Sequence, residues 1–310
     1  MKTAQSASAY KSSRQSVVTI GTFDGVHLGH KAILKRLVET AKNEDLDSVV
    51  LTFFPHPRMV LQQDMDLKLI NTIDERAELL EKTGLDNLVV HPFTHAFSRL
   101  TALEYVRDIL VNSLKAKKII IGYDHRFGRN RTANINNLKE YGKIYHFEVE
   151  EISAKELDDV AISSTKIRRA LDAGDVETAN SYLGYNFMIS GKIIHGKKIG
   201  RTLGYPTANL HLQEHYKLVP KNGVYVVQAN LDGKQHFGIT SIGTNPTVGG
   251  TEKTIETYFF DFEGELYGKK ITLEFLKYIR GERTFDSLEA LRDEIEKDEI
   301  FAHNFLENRE

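Results

Sequence analysis

The chain contains no cysteine among its 310 residues. This absence excludes disulfide bonds, thiolate nucleophiles and metal sites built on cysteine ligands. It suits a reducing compartment, and we expect a cytoplasmic protein. The sequence also lacks any apolar run approaching the roughly 18 residues that a membrane span needs. We therefore expect no membrane association.

The chain lacks a charge excess of either sign. Lysine and arginine together number 41 and aspartate and glutamate 43, so the formal net charge is -2. A protein that coats nucleic acid carries a basic excess, so we expect no nucleic-acid partner. Small anionic ligands need only a local basic cluster and are not excluded. The length suggests two domains, with one large domain as the alternative.

The N-terminal segment lacks both acidic side chains and the apolar stretch of a secretory signal. It is polar and rich in serine, and we expect a disordered tail over residues 1–16. An organelle transit segment is the alternative, because such segments are also basic and free of acidic residues.

Strand-like and helix-like patterns alternate after this tail. The strands are nearly continuous apolar runs, which is typical of a parallel sheet with helices on both faces. The predicted strands are 17–20, 48–54, 87–90, 117–122 and 144–150, and the predicted helices are 31–42, 74–82, 102–114 and 135–141. This alternation predicts an α/β fold, a doubly wound domain over residues 17–184.

The pattern changes to short β-rich segments in residues 185–310, which we predict to be a second domain. Asp232 and Gly233 form an Asp-Gly pair, a strong hairpin signal. Short strands at regular spacing predict a small barrel or a sandwich. The last segment, 287–306, has the pattern of one charged amphipathic helix.

The first candidate site is the segment TIGTFDGVHLGH, residues 19–30. Gly21 allows a tight turn, and Gly29 removes a side chain where a helix begins, so a phosphate can approach the backbone N–H groups. His27 and His30 share one helical face and can donate hydrogen bonds to phosphate oxygens, which suits phosphoryl chemistry. The alternatives are an ordinary polar helix start, or a metal site, for which no third ligand is spaced nearby.

The second candidate site is SGKIIHGKKIGRTLGYPTANL, residues 190–210. Its glycines permit close backbone approach and its cations supply charge, as a phosphate-binding loop requires. The residues concerned are Gly196, Lys197, Lys198, Gly200, Arg201 and Gly204. Thr207 and Asn209 alternate on a strand, and their oxygens suit Mg²⁺ held with substrate phosphates. A basic hairpin that binds RNA is the alternative.

These motifs resemble those of a known family. GTFDGVHLGH, TFFPHP, IIIGYDHRFGRNR and ISSTKIRRAL, in this order, resemble the HxGH nucleotidyltransferases, specifically the adenylyltransferase half of the bacterial bifunctional riboflavin kinase/FAD synthetases. SGKIIHGKKIGRTLGYPTANL and IETYFFDFEGELYGKKI resemble the riboflavin kinase signature. The resemblance extends from Val17 to the C-terminus. It implies a Rossmann-like N-terminal domain and a small six-stranded β-barrel with a terminal helix.

The resemblance implies two linked reactions of flavin cofactor synthesis. The C-terminal domain would phosphorylate riboflavin with ATP and Mg²⁺, giving FMN. The N-terminal domain would transfer AMP from a second ATP to FMN, giving FAD and pyrophosphate. The implied partners are therefore ATP, riboflavin, FMN and FAD, and a homo-oligomer is left open.

For the adenylyl transfer, the resemblance implies that His27 and His30 are catalytic. The implied nucleotide-binding residues are Gly21, Phe23, Asp24, Gly29, His56, Ser164, Thr165 and Arg168. Asp124 and His125 are the implied flavin contacts.

For the kinase reaction, Glu256 is the predicted general base, because a neutral ribityl hydroxyl must lose its proton. The FMN phosphate of the other reaction is already an anion, so positioning suffices there. The implied nucleotide-binding residues are Gly196, Lys198, Gly200, Arg201, Thr207 and Asn209. Thr207 and Asn209 are also the implied metal ligands, and Arg280 and Glu282 the implied flavin contacts.

Three positions depart from the family pattern. His125 stands where phenylalanine is typical, Ala133 where glycine is common and Tyr258 where histidine is usual. One alternative is therefore a riboflavin kinase with a weakened adenylyltransferase site. Another is an RNA-binding β-module fused to a nucleotidyltransferase, which the overall charge and the lack of an aromatic-basic repeat disfavour.

Overall fold

The computed structural model describes residues 1–61, 66–123, 125–153, 162–196, 200, 203–247 and 250–309. Its internal contacts divide the chain into two compact units, Met1–Ser164 and Thr165–Glu310. The predicted domain boundary, 184/185, lies later in the chain than this division. Two helices described below account for the difference.

The first unit is built on a six-stranded sheet in which every pairing is parallel. The strand order is β1-β4-β3-β2-β5-β6. The strands are β1 (Lys2–Ala4), β2 (Ser16–Ile20), β3 (Asp47–Phe54), β4 (Asn87–Pro92), β5 (Ala116–Gly122) and β6 (Glu148–Ile152). β2 is buried along its whole length, which explains its uninterrupted apolar character. The predicted parallel α/β sheet is confirmed.

Helices connect these strands as the alternating pattern predicted. They are α1 (Leu28–Asn43), α2 (Pro57–Leu61), α3 (Ile73–Glu81), α4 (His95–Ser98), α5 (Ala102–Glu104) and α6 (Ile135–Tyr145). α5 continues directly into a π-helix, Tyr105–Ser113, a rare form that periodicity does not reveal. α6 extends beyond its predicted end at residue 141. It stops at Tyr145, because His146 adopts the left-handed conformation.

The N-terminal tail is ordered, so the predicted disorder was wrong. Lys2–Ala4 pairs with β4, and Tyr10 is buried. Asp47 binds the rest of the tail, accepting hydrogen bonds from Ser12 Oγ at 2.5 Å and Arg14 Nε at 2.7 Å. The polar composition suggested disorder because the partner of these side chains, Asp47, lies far along the chain in β3.

The second unit contains a closed six-stranded antiparallel barrel, ordered β10-β11-β8-β7-β12-β9. Its strands are β7 (Met188–Ile194), β8 (Ala208–His211), β9 (Gly223–Leu231), β10 (Lys234–Thr247), β11 (Gly250–Phe259) and β12 (Lys270–Arg280). Asp232 and Gly233 form the predicted hairpin turn between β9 and β10, both with positive φ, at 51° and 86°. Of the two folds predicted from the short strands, the structure therefore has the barrel and not the sandwich.

Three helices complete this unit: α7 (Ser164–Ala173), whose first residue still belongs to the first unit, α8 (Val176–Leu183) and α9 (Leu288–Glu307). Asn180 of α8 donates a hydrogen bond from Nδ2 to Phe275 O of β12 at 2.8 Å, and Lys221 N donates to Leu171 O of α7 at 3.0 Å. These bonds join α7 and α8 to the barrel, which is why the contacts divide at Ser164. Of the helices in the described ranges, none has both the length and the apolar character of a membrane span.

Candidate active sites

His27 and His30 lie together where α1 begins. His27 is the N-cap of this helix, and its Nδ1 accepts a hydrogen bond from His30 N at 3.3 Å. The two imidazoles are stacked, with ring centroids 3.6 Å apart and planes 17° apart. The predicted pairing of these histidines is therefore present, with His27 acting in addition as the helix cap.

Both rings are held neutral. Burial lowers the pKa of His27 to about 4, and the nearby Asp24 only partly opposes this effect. Burial also lowers the pKa of His30 well below its ordinary value, helped by His27 and by Arg76. Because His27 Nδ1 is an acceptor, the neutral ring carries its proton on Nε2. His27 thus retains one N–H donor for a ligand.

Gly29 leaves room for the histidine cap. A Cβ atom at this position would lie 3.3 Å from Nδ1 and from Cε1 of His27. The preceding turn is strained, since Phe23 and Val26 have positive φ values of 48° and 36°. Such strain in a strand-to-helix turn is typical of functional loops.

Asp24 braces this turn from inside the unit. Its side chain and that of Arg76 are each 1% exposed, with Asp24 Oδ1 and Arg76 Nη2 3.5 Å apart. The Asp24 carboxylate also accepts hydrogen bonds from Ile70 N and Asn71 N, at 3.2 and 3.3 Å. Ser164 Oγ donates to the Asp24 carbonyl at 2.8 Å, so it contacts the same turn. The contacts of Asp24 are those of a residue that positions the loop.

His56, Thr165 and Arg168 are further predicted residues of this site. His56 Nδ1 accepts a hydrogen bond from Arg58 N at 3.1 Å, just before α2. Thr165 is exposed and Arg168 is half-buried in α7, and both belong to the second unit. Their roles stay predictions. Asp124 lies outside the described residues.

Sequence reasoning missed an aromatic cluster at the carboxyl ends of β3, β4 and β5. The buried ring of Tyr105 lies 5.7 Å from Phe127 and 6.0 Å from Phe97, which in turn lies 5.5 Å from Phe53. The ring of His125 stacks beside Phe127, 6.0 Å away. Within the described residues, the buried Tyr105 hydroxyl has no hydrogen-bond partner. The aromatic residues at successive strand ends were a usable signal, because these ends meet at one edge of the sheet.

In the second unit, three predicted kinase residues lie together on β11, on β8 and directly before β8. Glu256 is directly opposite Asn209 in the antiparallel pairing of β11 with β8. Thr207 donates a hydrogen bond from Oγ1 to Glu256 Oε2 at 3.3 Å. All three side chains are half-buried. A carboxylate, a hydroxyl and an amide thus converge on one part of the barrel.

The glycines of the predicted phosphate loop are packed against this group. A Cβ atom at Gly196 would lie 2.3 to 2.5 Å from the Asn209 side-chain amide. At Gly200 it would lie 2.2 Å from the Tyr205 carbonyl oxygen and 3.4 Å from Thr207 Cγ2. Lys198 and Arg201, the predicted cations of this loop, lie outside the described residues.

A pocket with both polar and apolar walls adjoins Thr207. It has a volume of about 110 Å³, and its walls include Ile193, Phe259, Phe262 and Tyr267. Phe262 can occupy this position because Gly264 has no side chain that would meet its ring. Aromatic walls beside the predicted phosphate-binding loop make this pocket a candidate site for a nucleotide base.

Arg280 and Glu282 make contacts that sequence reasoning did not foresee. Arg280 donates hydrogen bonds to Asp298 of α9, from Nε at 2.9 Å and from Nη2 at 2.7 Å, and to Gly281 O at 3.1 Å. Burial raises the pKa of Asp298, and the guanidinium partly offsets this. Glu282 accepts a hydrogen bond from Asn222 Nδ2 at 3.1 Å. Arg280 therefore anchors the following loop to α9.

Comparisons with known proteins cover both units. The family profile described as FAD synthetase matches residues 9–166, and the one described as riboflavin kinase matches residues 183–306. A bifunctional riboflavin kinase/FMN adenylyltransferase from Listeria monocytogenes is 38% identical, covering 94% of this chain and 92% of the relative. The protein of the same name from Escherichia coli K12 is 37% identical, with the same coverage of both chains.

One solved structure is similar over almost the whole length. It is a Streptococcus pneumoniae protein described as a macrolide-efflux protein, with a TM-score of 0.88 and 33% identity, covering 97% of this chain and 98% of that chain. The description concerns that protein. The similarity shows that the two proteins share a fold.

Proposed function

Because the chain belongs to the family of bifunctional riboflavin kinase/FMN adenylyltransferases, we propose that its two sites divide the two reactions between them. The protein is a transferase that phosphorylates riboflavin to FMN and adenylylates FMN to FAD, using ATP in both reactions. The group around Glu256 performs the first reaction. The stacked pair His27 and His30 performs the second.

The observation that carries this proposal is the convergence of four predicted residues in the barrel. Gly196 leaves the space that the Asn209 side chain occupies, and Thr207 donates a hydrogen bond to Glu256. Glu256 and Asn209 are cross-strand neighbours. The hydroxyl and the amide can bind ATP phosphates and a metal ion. The carboxylate beside them can accept a proton.

In the kinase reaction, the terminal ribityl hydroxyl oxygen attacks the γ-phosphorus of ATP, and ADP leaves. Glu256 accepts the proton of that hydroxyl. Thr207 and Asn209 would supply oxygens for a divalent metal ion, which kinases of this kind generally use. We propose Mg²⁺, because both side chains offer hard oxygen ligands. When bound, the ion would offset negative charge on the phosphates.

The aromatic residues of the pocket beside Thr207 support a place for the adenine ring. Thr207 lines the pocket and also contacts Glu256 in the proposed phosphate-binding group. An ATP molecule with its adenine ring in the pocket would therefore extend its phosphates toward Glu256. Phe259 and Tyr267 offer the aromatic contacts that a purine uses for packing.

In the adenylyl transfer, a phosphate oxygen of FMN attacks the α-phosphorus of ATP and pyrophosphate leaves. The nucleophile is already an anion, so no base is needed. His27 donates from Nε2, and the free N–H groups at the start of α1 add positive potential for the phosphates. The half-buried rings of Phe53 and Phe97, which pack against the buried Tyr105 and Phe127, support a site for the flavin ring, with Asp124 and His125 as further proposed contacts. Since both reactions consume ATP, we propose that the enzyme works in the cytoplasm.

The test is to supply purified variants with ATP and Mg²⁺, and to separate the flavin products by chromatography. His30→Ala, given riboflavin, should form FMN but no FAD. Glu256→Gln should form FAD from supplied FMN but no FMN from riboflavin. His146→Asn and Glu263→Gln, which alter exposed residues of the same units, should retain both activities. Loss of both activities in either site variant would contradict two separable sites.

A further inference from the structure

The pocket beside Thr207 has a further aromatic residue, His195, behind one of its walls. His195 directly follows β7, and its imidazole packs on the ring of Tyr267, with centroids 3.9 Å apart and planes 37° apart. Tyr267 lines the pocket, whereas His195 does not. His195 is exposed and Tyr267 half-buried. His195 therefore reaches the pocket only through the tyrosine ring.

Backbone hydrogen bonds bring these two residues side by side. Ile193 accepts a hydrogen bond from Gly268 N at 2.9 Å and donates one to Lys269 O at 3.0 Å. Gly268 has a φ of +78°, which glycine adopts without strain. Tyr267 thus lies beside the end of β7, where His195 begins the phosphate-binding loop.

The side chain of Tyr267 depends on packing for its direction. Within the described residues, its hydroxyl makes no hydrogen bond, so no polar contact fixes the ring. His195 supplies an aromatic contact, and such pairs change an equilibrium by roughly 2- to 10-fold. The next residue, Gly196, borders the Asn209 amide. One short stretch therefore borders both the base pocket and the metal-binding group.

We propose that His195 is a positioning residue for ATP in the kinase reaction, holding Tyr267 as the wall against which the adenine ring packs. This proposal rests on the proposed function of the pocket. It assigns His195 to nucleotide affinity and gives it no part in the transfer of the phosphoryl group. The expected effect of removing the ring is therefore on KM for ATP, with kcat retained.

The experiment compares His195→Ala and His195→Phe in the full-length enzyme, with initial rates measured against ATP at saturating riboflavin. His195→Ala should raise KM for ATP about 3- to 10-fold and change kcat by less than about 2-fold. His195→Phe, which restores a ring, should return KM to within about 2-fold of the parent. KM for ATP in the adenylyl transfer, measured with supplied FMN, should not change in either variant.

A matched control removes an equivalent contact elsewhere in the same unit. His303 is exposed and stacks on Phe260, with centroids 4.6 Å apart, and Phe260 does not line the pocket. His303→Ala should leave KM for ATP unchanged. A rise equal to that of His195→Ala would overturn the proposal, because the effect would then be general to the barrel.

Further outcomes separate failure of this proposal from failure of the pocket assignment. Tyr267→Ala should raise KM for ATP at least as much as His195→Ala. If Tyr267→Ala raises KM and His195→Ala does not, the role of His195 is refuted while the pocket stands. If neither variant changes KM, the adenine site itself is wrong. If His195→Phe behaves like His195→Ala, or if kcat falls while KM is unchanged, positioning through ring packing is refuted.

Discussion

The buried His27 ring should make the first unit sensitive to acid. His27 is only 7% exposed, and burial lowers its pKa from 6.5 to about 4. In the unfolded chain the ring takes up a proton as the pH falls below 6.5, whereas the folded protein does so only near 4. The contribution of His27 to stability is therefore fully present above the higher value and is lost as the pH falls toward the lower one.

The size of this loss follows from the two pKa values. At about pH 7 both states hold the ring mostly neutral, while at about pH 5 the unfolded state binds nearly one more proton than the folded state. Integration between these two pH values gives a decrease of about 2 kcal/mol in the free energy of unfolding. This is a large share of the stability of an ordinary domain.

His27→Asn is the informative variant. The Asn side-chain oxygen can accept the hydrogen bond from His30 N, so the helix keeps an N-cap while the titrating ring is removed. Hydrogen exchange of peptides from residues 16–54, measured over a urea series, reports the opening free energy of the first unit alone. Between pH 7 and 5, wild type should lose about 2 kcal/mol more than the variant.

The comparison across pH removes other effects of the substitution. Any cost of lost stacking that is independent of pH cancels in the difference. Because His27 also helps to lower the pKa of His30, the difference includes that contribution, which has the same sign. His146→Asn serves as the control, because His146 is exposed and in the left-handed conformation that Asn also adopts. This control should follow wild type. An equal pH dependence in wild type and His27→Asn would refute a neutral, buried His27.

Two more predictions concern the second unit. Gly196→Ala should reduce FMN formation by roughly 100-fold, because the added methyl displaces the Asn209 amide, while FAD formation from FMN persists; retained kinase activity would contradict the assigned loop. Asp298→Asn should destabilise this unit by about 1 kcal/mol, since an amide replaces one of the two carboxylates near Arg280 while Glu294 Oε1 remains 3.6 Å from its Nε, and it should raise KM for riboflavin. The exposed Asp293→Asn on the same helix is its control, and equal urea melting curves would count against the anchor.

Much of the first unit could be predicted because its signals are local. The apolar runs and helix starts recur at short spacing, and His27 and His30 are joined by the same turn that their sequence spacing describes. The hairpin at Asp232 and Gly233 is equally local. The π-helix Tyr105–Ser113 was not foreseen, because its apolar pattern is that of an ordinary helix.

The tail and the loop after β12 show where local patterns fail. The tail is ordered by Asp47, a residue in β3 that no spacing rule connects with Ser12 or Arg14. Arg280 is anchored by Asp298, one helix later in the chain. In both cases the sequence contains the charges, but their partners are decided by packing.

By itself, the sequence determined the two candidate sites, the parallel sheet and the strand-rich second domain, because periodicity, glycine turns and helix caps depend on residues a few positions apart. Only the tertiary structure decided that Glu256 lies opposite Asn209, that Arg76 braces Asp24 and that His195 supports Tyr267. These contacts join residues far apart in the chain. Their pairing follows from strand register and core packing, which no short stretch of sequence encodes.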